Sequence, residues 1–260
     1  MTFDKLYLEV TRNCTFKCEH CIKGNRQAVN MDITTLKNTL KDIDHINTLL
    51  LTGGEPLLNV LLIEELSRLI KDNNIGIDTI GIVTNGSVCT ERHIEALKEL
   101  KANCSDFAFF LSCDLFHRLE WDRLDIHDLI EKNYCTLHRE LGLKKFLEND
   151  RFNNVSIYKK GRAALIGEDR LKSLGKKNYI NFKLVDVEDS NKVLSYDQDG
   201  IHGKVCIDVN GNLVEFCKTY AEEDLENEGY NVNYFPLNKI IYDYIDYKNR
   251  VDSKTKRYYS

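Results

Sequence analysis

The chain has 260 residues, of which 42% are hydrophobic and 30% charged, with a formal net charge of −5. That composition describes an ordinary globular protein with a sizeable core, with no repeat and no low-complexity tract. The mild negative balance leans against nucleic acid held through its phosphates, and no run approaches the roughly 18 apolar residues of a membrane span.

The opening stretch, MTFDKLYLEV, lacks a charged region followed by an apolar one, so the expected compartment is the cytoplasm. Nine cysteines are many for such a chain, and in reducing surroundings the excess points to metal or catalysis rather than disulfides. Residues 5–11 read as the first strand. Directly after it stands CTFKCEHC, which sets Cys14, Cys18 and Cys21 in a Cys-x3-Cys-x2-Cys loop. Such a loop can curl so that three thiolates meet three irons of a cubane, and with no fourth cysteine nearby one iron stays open. The other reading is zinc held by the same thiolates and His20, although the adjacency of His20 and Cys21 strains a tetrahedral arrangement.

Residues 33–44 put Leu36, Leu40 and Ile43 on one helical face. A short apolar run at 47–52 ends on Gly53, Gly54, Glu55 and Pro56, and residues 62–71 return to helical spacing with Leu62, Leu66, Leu69 and Ile70. Residues 77–84 form a strand closing on Thr84, Asn85 and Gly86. Thr90 is a suitable N-cap for a helix reaching Lys101. A fourth strand, 107–112, closes on Ser112, Cys113 and Asp114, where alternation puts Ser112 and Asp114 on one face. A charged helical stretch follows at 125–141. Strands are expected at 155–158 and 179–185, with Arg162 between them. Strands separated by helices mean βαβ units and a parallel sheet. Six of them suggest a barrel, complete or partial, whose chemistry sits at the C-terminal ends of its strands.

The last segment changes character. Residues 204–209, Asn210, Gly211 and residues 212–217 carry a hairpin signal, since Asn-Gly suits a two-residue type I′ turn. That turn would set Cys206 opposite Glu215 and Lys204 opposite Cys217, with both thiols on one face about 7 Å apart. A helix is expected near 237–247.

With these motifs the sequence resembles the radical S-adenosylmethionine (SAM) superfamily over residues 5–217. The resemblance implies an α/β fold, a partial (β/α)6 TIM-like barrel over residues 1–200, with a hairpin and helix extension over 201–260 packed on it. It implies one 4Fe–4S cluster on Cys14, Cys18 and Cys21, with SAM on the open iron and His20 packed near it. Gly53, Gly54, Glu55 and Pro56 look like the family's motif for the methionine end of SAM. Thr84 and Asn85 are similar to a ribose-contacting stretch, Ser112 shares that mouth, and Arg162 lies where the family often holds the SAM carboxylate or ribose. The implied chemistry is reductive cleavage of SAM to a 5′-deoxyadenosyl radical that takes hydrogen from a peptide or small metabolite, with electrons from a donor such as flavodoxin or ferredoxin. Cys217 or Cys206 would return a hydrogen atom, as in radical SAM peptide epimerases, and Asp114 with His117 would bind substrate or move a proton. Two other enzyme readings are a glycyl-radical activase and a viperin-like nucleotide-modifying enzyme; outside enzymology, a zinc-structured interaction module is the alternative.

Overall fold

The computed structural model of the chain describes residues 1–143, 147–148, 154–158, 161–178, 181–185, 194–198, 200–214 and 230–258. Its first half alternates strand and helix: β1 (Thr2–Thr11), α1 (Ile33–Leu40), β2 (His45–Gly53), α2 (Val60–Asp72), β3 (Gly76–Thr84), α3 (Glu91–Lys101) and β4 (Asp106–Leu111). The second half holds α4 (Leu115–Leu124), α5 (His127–Leu141), β5 (Leu147–Glu148), β6 (Asn154–Tyr158), α6 (Glu168–Asn178), β7 (Asn181–Val185), β8 (Ser195–Asp197), β9 (Gly200–Ile207), β10 (Leu213–Val214) and α7 (Leu237–Tyr258).

The main sheet runs β10-β9-β1-β2-β3-β4-β5, with β8 also paired to β9. From β9 through β5 every neighbour is parallel, whereas β8 and β10 lie antiparallel to β9. The fold is therefore α/β on an open, unclosed parallel sheet. β1 sits inside it, and Leu6, Leu8 and Val10 are at most 1% exposed. A strand covered on both faces must be an apolar run, which is how residues 5–11 read. On α2, Leu62, Ile63, Leu66, Leu69 and Ile70 face this core while Arg68 and Asp72 pair outside.

The strands expected at 155–158 and 179–185 pair with each other, β6 to β7, in a sheet of their own. The neighbour of β4 is instead the two-residue β5, and the other flank of β1 is taken by β9. A buried strand needs partners on both edges, and β9 supplies Val205 and Ile207, both 0% exposed, beside Leu6 and Leu8. The helical stretch expected at 125–141 is α5, and a further helix not read from the sequence, α4, precedes it and ends where Asp125 adopts φ 54°. Among the described residues no helix is long and apolar enough to cross a membrane.

The hairpin differs from expectation by one residue. Ile207 lies opposite Leu213 and Cys206 opposite Val214, so the connection is not the two-residue type I′ turn. The Asp208 carboxylate accepts from Asn210 N at 2.9 Å and Asn212 N at 2.8 Å, and Gly211 N donates to Asp208 O at 3.0 Å. Gly211, at φ 88°, takes the left-handed position that closes such a three-residue loop. A one-residue slip exchanges faces along a strand. Cys217, expected opposite Lys204, lies outside the described residues.

Candidate active site

The loop after β1 is held at its base by the strand beside it. Gly54 N donates to Thr11 O at 2.7 Å and Glu55 N to Asn13 O at 2.8 Å. A Cβ on Gly53 would lie 2.1 Å from Thr11 O, and one on Gly54 would lie 2.0 Å from Asn13 O. The two glycines are thus required by backbone meeting backbone, which seats the start of the cysteine loop. Further along, Arg26 Nη1 donates to Cys14 O at 2.6 Å, and Arg162 holds both Cys18 O and Cys21 O at 2.9 Å, through Nε and its backbone N–H respectively. Glu120 on α4 accepts from Lys17 N at 2.8 Å. Three separate elements, with Arg26 of the loop itself, therefore fix a loop that has no regular structure of its own.

Glu55 is fully buried, and its carboxylate points inward. It accepts from Thr84 Oγ1 at 2.8 Å, Asn85 N at 2.7 Å and Leu57 N at 3.2 Å. It ties β2 to the end of β3, and Pro56 beside it opens a buried 3-10 turn. Burial pushes the Glu55 carboxyl from its ordinary 4.5 up to about 7, against the lowering effect of those donors. The folded chain then keeps a proton that the unfolded chain gives up near 4.5, so this contribution to stability is complete below about 4.5 and is lost as pH rises through about 7. The expected result is a urea midpoint that declines between about pH 5 and 8, with a shallower decline in Glu55→Gln. Equal slopes in the two proteins would contradict this role.

Around the loop lies one cavity of about 280 Å³. Cys14, Cys18, Cys21, His20, Gly53, Gly54, Thr84, Asn85, Ser112 and Arg162 all line it, with Arg12, Lys23, Arg26 and His117. Of the expected site residues, Glu55 and Pro56 lie behind this wall, and Asp114 reaches it only through its hydrogen bonds to His20 and His117. Cys206 is buried between Tyr7 on β1 and Val214 on β10 and is not part of the lining. Asn85 Nδ2 donates to Thr15 Oγ1 at 3.0 Å and approaches Cys14 Sγ at 3.6 Å.

Sequence reasoning missed the charged group under the loop. Arg12 is 1% exposed; its Nε donates to Glu9 Oε1 at 2.9 Å, Nη2 to Asp208 Oδ2 at 3.1 Å and Nη1 to Gln27 Oε1 at 3.0 Å, and Lys23 Nζ lies 3.0 Å from Glu9 Oε2. The available signal was Glu9 and Arg12 three apart at the end of an otherwise apolar strand.

The donor set tests which metal centre fits. Burial pushes the Cys14 thiol up to about 11 and Cys18 higher still, helped by the neighbouring Cys14 and Glu120 charges. Thiols in such a place ionise only against a strongly positive centre. In a tetrahedral zinc site, sulfurs stand about 3.8 Å apart. Among the described residues, the metal-ligating atoms within 4.8 Å of one another belong to His20, Asp114 and His117, and the three thiols form no such group. The three thiols are therefore not gathered as a zinc site would gather them, and thiolate ligation of a multi-iron cluster is the better fit. His20 lines the cavity, and its buried Nδ1 has no hydrogen-bond partner.

Residues 8–157 match the family model described as Radical SAM superfamily. A GTP 3′,8-cyclase of Chlorobaculum tepidum is 34% identical over 145 residues, 54% of this chain and 42% of that protein. An uncharacterized protein of Methanocaldococcus jannaschii is 38% identical over 100 residues, 36% and 35% of the two chains. The chain spans less than half the length of these curated relatives. Among solved structures, Streptococcus suis SuiB bound to precursor peptide SuiA aligns with TM-score 0.47 at 14% identity over 92% of this chain and 64% of SuiB. His-tagged anSMEcpe with bound AdoMet aligns at 0.43 and 18%, over 75% and 53%.

Proposed function

The chain belongs to the radical SAM superfamily, and from that premise we propose that it takes a hydrogen atom from a peptide or small-metabolite substrate bound beside Cys14, Cys18 and Cys21. It is an enzyme whose cofactors are those of its superfamily, a 4Fe–4S cluster and SAM. When bound, the two supply one-electron cleavage of SAM and a 5′-deoxyadenosyl radical. The three thiolates hold the cluster. Gly53, Gly54, Thr84, Asn85, Ser112 and Arg162 offer backbone and side-chain polar groups to SAM, while Phe16, Ile22 and Val83 keep water from the reacting atoms. Electrons come from a flavodoxin- or ferredoxin-like donor, and the compartment is the cytoplasm.

The observation carrying this reading is that polar ends of four consecutive parallel strands meet the cysteine loop around one cavity, whose volume of about 280 Å³ is near the lower end for ligand pockets. A second reading, a nucleotide-modifying enzyme, is favoured by the lining itself. It carries Arg12, Lys23, Arg26 and Arg162 and, among the described residues, no carboxylate. The matched relative from C. tepidum is named for a nucleotide substrate.

The test uses reconstituted protein, dithionite and SAM with peptide, nucleotide and other small-molecule fractions of an extract from cells grown in deuterated medium. One fraction is expected to yield 5′-deoxyadenosine heavier by deuterium. A labelled product from the nucleotide fraction alone would establish the second reading, and no label from any fraction would overturn hydrogen abstraction from all three classes.

A further inference from the structure

At the start of α4, three side chains outside the cysteine set converge. Asp114 Oδ1 accepts from the backbone N–H groups of Phe116 at 2.9 Å and His117 at 3.2 Å, which caps the helix and fixes the carboxylate. Its other oxygen, Oδ2, lies 2.8 Å from His117 Nδ1 and 3.2 Å from His20 Nε2. The His20 ring is stacked on Phe116, with centroids 4.6 Å apart and planes 13° from parallel. One ligand atom from each of the three residues lies within 4.8 Å of the others. We propose that His20, Asp114 and His117 form a second metal site, separate from the three thiols, that takes a divalent transition ion such as zinc.

The separations are those an ion needs. Ligands at 2.0–2.1 Å in a tetrahedral shell stand about 3.3 Å apart; the His20–Asp114 edge is 3.2 Å, the Asp114–His117 edge 2.8 Å, and the His20–His117 edge lies within 4.8 Å. Two imidazoles and one carboxylate are donors that zinc and divalent iron both accept. The carboxylate is aligned by the two cap N–H groups, and one ring by stacking, which is the outer support that ligands of a metal normally have. Because His20 and His117 both line the cavity, an ion here would border the space where a substrate sits, with its remaining coordination open to a substrate oxygen.

The rival account is a hydrogen-bonded cluster in which Asp114 only caps α4 and orients two rings. Metal content separates the two. Full-length protein reconstituted with iron and sulfide, desalted, equilibrated with zinc sulfate and desalted again is expected to hold about one zinc beside about four irons. Zinc displaces any ferrous ion from such a site, following the usual affinity order. His117→Ala and Asp114→Asn, the latter keeping a capping oxygen, should each drop zinc at least about tenfold while retaining iron. Replacing Cys14, Cys18 and Cys21 together by Ser should remove the iron and leave the zinc. No zinc in the wild type, or zinc that survives both His117→Ala and Asp114→Asn, would overturn the site. Since iron reports the cluster and zinc reports this trio, the two assignments fail separately.

Discussion

Cys14→Ala, Cys18→Ala and Cys21→Ala each reduce 5′-deoxyadenosine formation to background and strip the chain of most of its iron. On the proposed assignment each thiol is one of three protein ligands from the loop, and a cubane left with two would have lost half of the usual four-ligand set. The loop geometry cannot compensate. Its carbonyls are held by Arg26 and Arg162 and its base by the contacts of Gly54 and Glu55 with Thr11 and Asn13, so the backbone of the loop is not free to rearrange around a missing thiol. Cys104→Ala is the control. That thiol packs against the core beyond α3, with Sγ 3.4 Å from Lys101 O, and is not part of the cavity lining. It should retain iron and activity. Iron and 5′-deoxyadenosine at wild-type levels in the three loop variants would remove the cluster assignment.

Arg12→Ala is expected to destabilise the protein by about 3–5 kcal/mol, because it leaves Asp208 with no cation among its hydrogen-bond partners named above and Glu9 with Lys23 alone, both carboxylates being at most 3% exposed. For a chain of this length that corresponds to a fall of roughly 6–20 °C in melting temperature. Arg68→Ala gives the scale for comparison. Arg68 makes three short contacts to Glu65 and Asp72, yet half of its side chain is exposed, and exposed pairs contribute about 0–1 kcal/mol. Arg12 also joins the end of β1 to the turn after β9, so its loss should loosen the cysteine loop and lower iron loading. A melting temperature unchanged in Arg12→Ala, or an effect no larger than that of Arg68→Ala, would contradict the buried-charge account.

The parts of this architecture visible in the sequence are those set by local pattern. Apolar runs at β1 and β3 and the 3.6-residue spacing of α2 come from burial that each segment undergoes in any arrangement of the sheet. The cysteine loop, the two glycines and the polar residues at the ends of β3 and β4 were legible for a related reason: the fold puts chemistry where strands stop. What escaped reading depends on contacts between distant segments. Nothing local says that β9 lies beside β1, since that pairing joins residues about 200 positions apart in the chain. The hairpin register turned on whether Asn210 and Gly211 close the loop by themselves or whether Asp208 gathers the turn's amides, and the carboxylate prevailed. The role expected for Gly53 and Gly54, close approach to a ligand, was accompanied by one that only the folded chain reveals, close approach of two backbones.

The central claim is that Cys14, Cys18 and Cys21 carry a cluster that cleaves SAM. The most direct measurement is iron, sulfide and 5′-deoxyadenosine on anaerobically reconstituted full-length protein given dithionite and SAM. About four irons and four sulfides per chain with 5′-deoxyadenosine formed is the predicted result. Zinc held by the three cysteines, with neither sulfide nor 5′-deoxyadenosine, would contradict it.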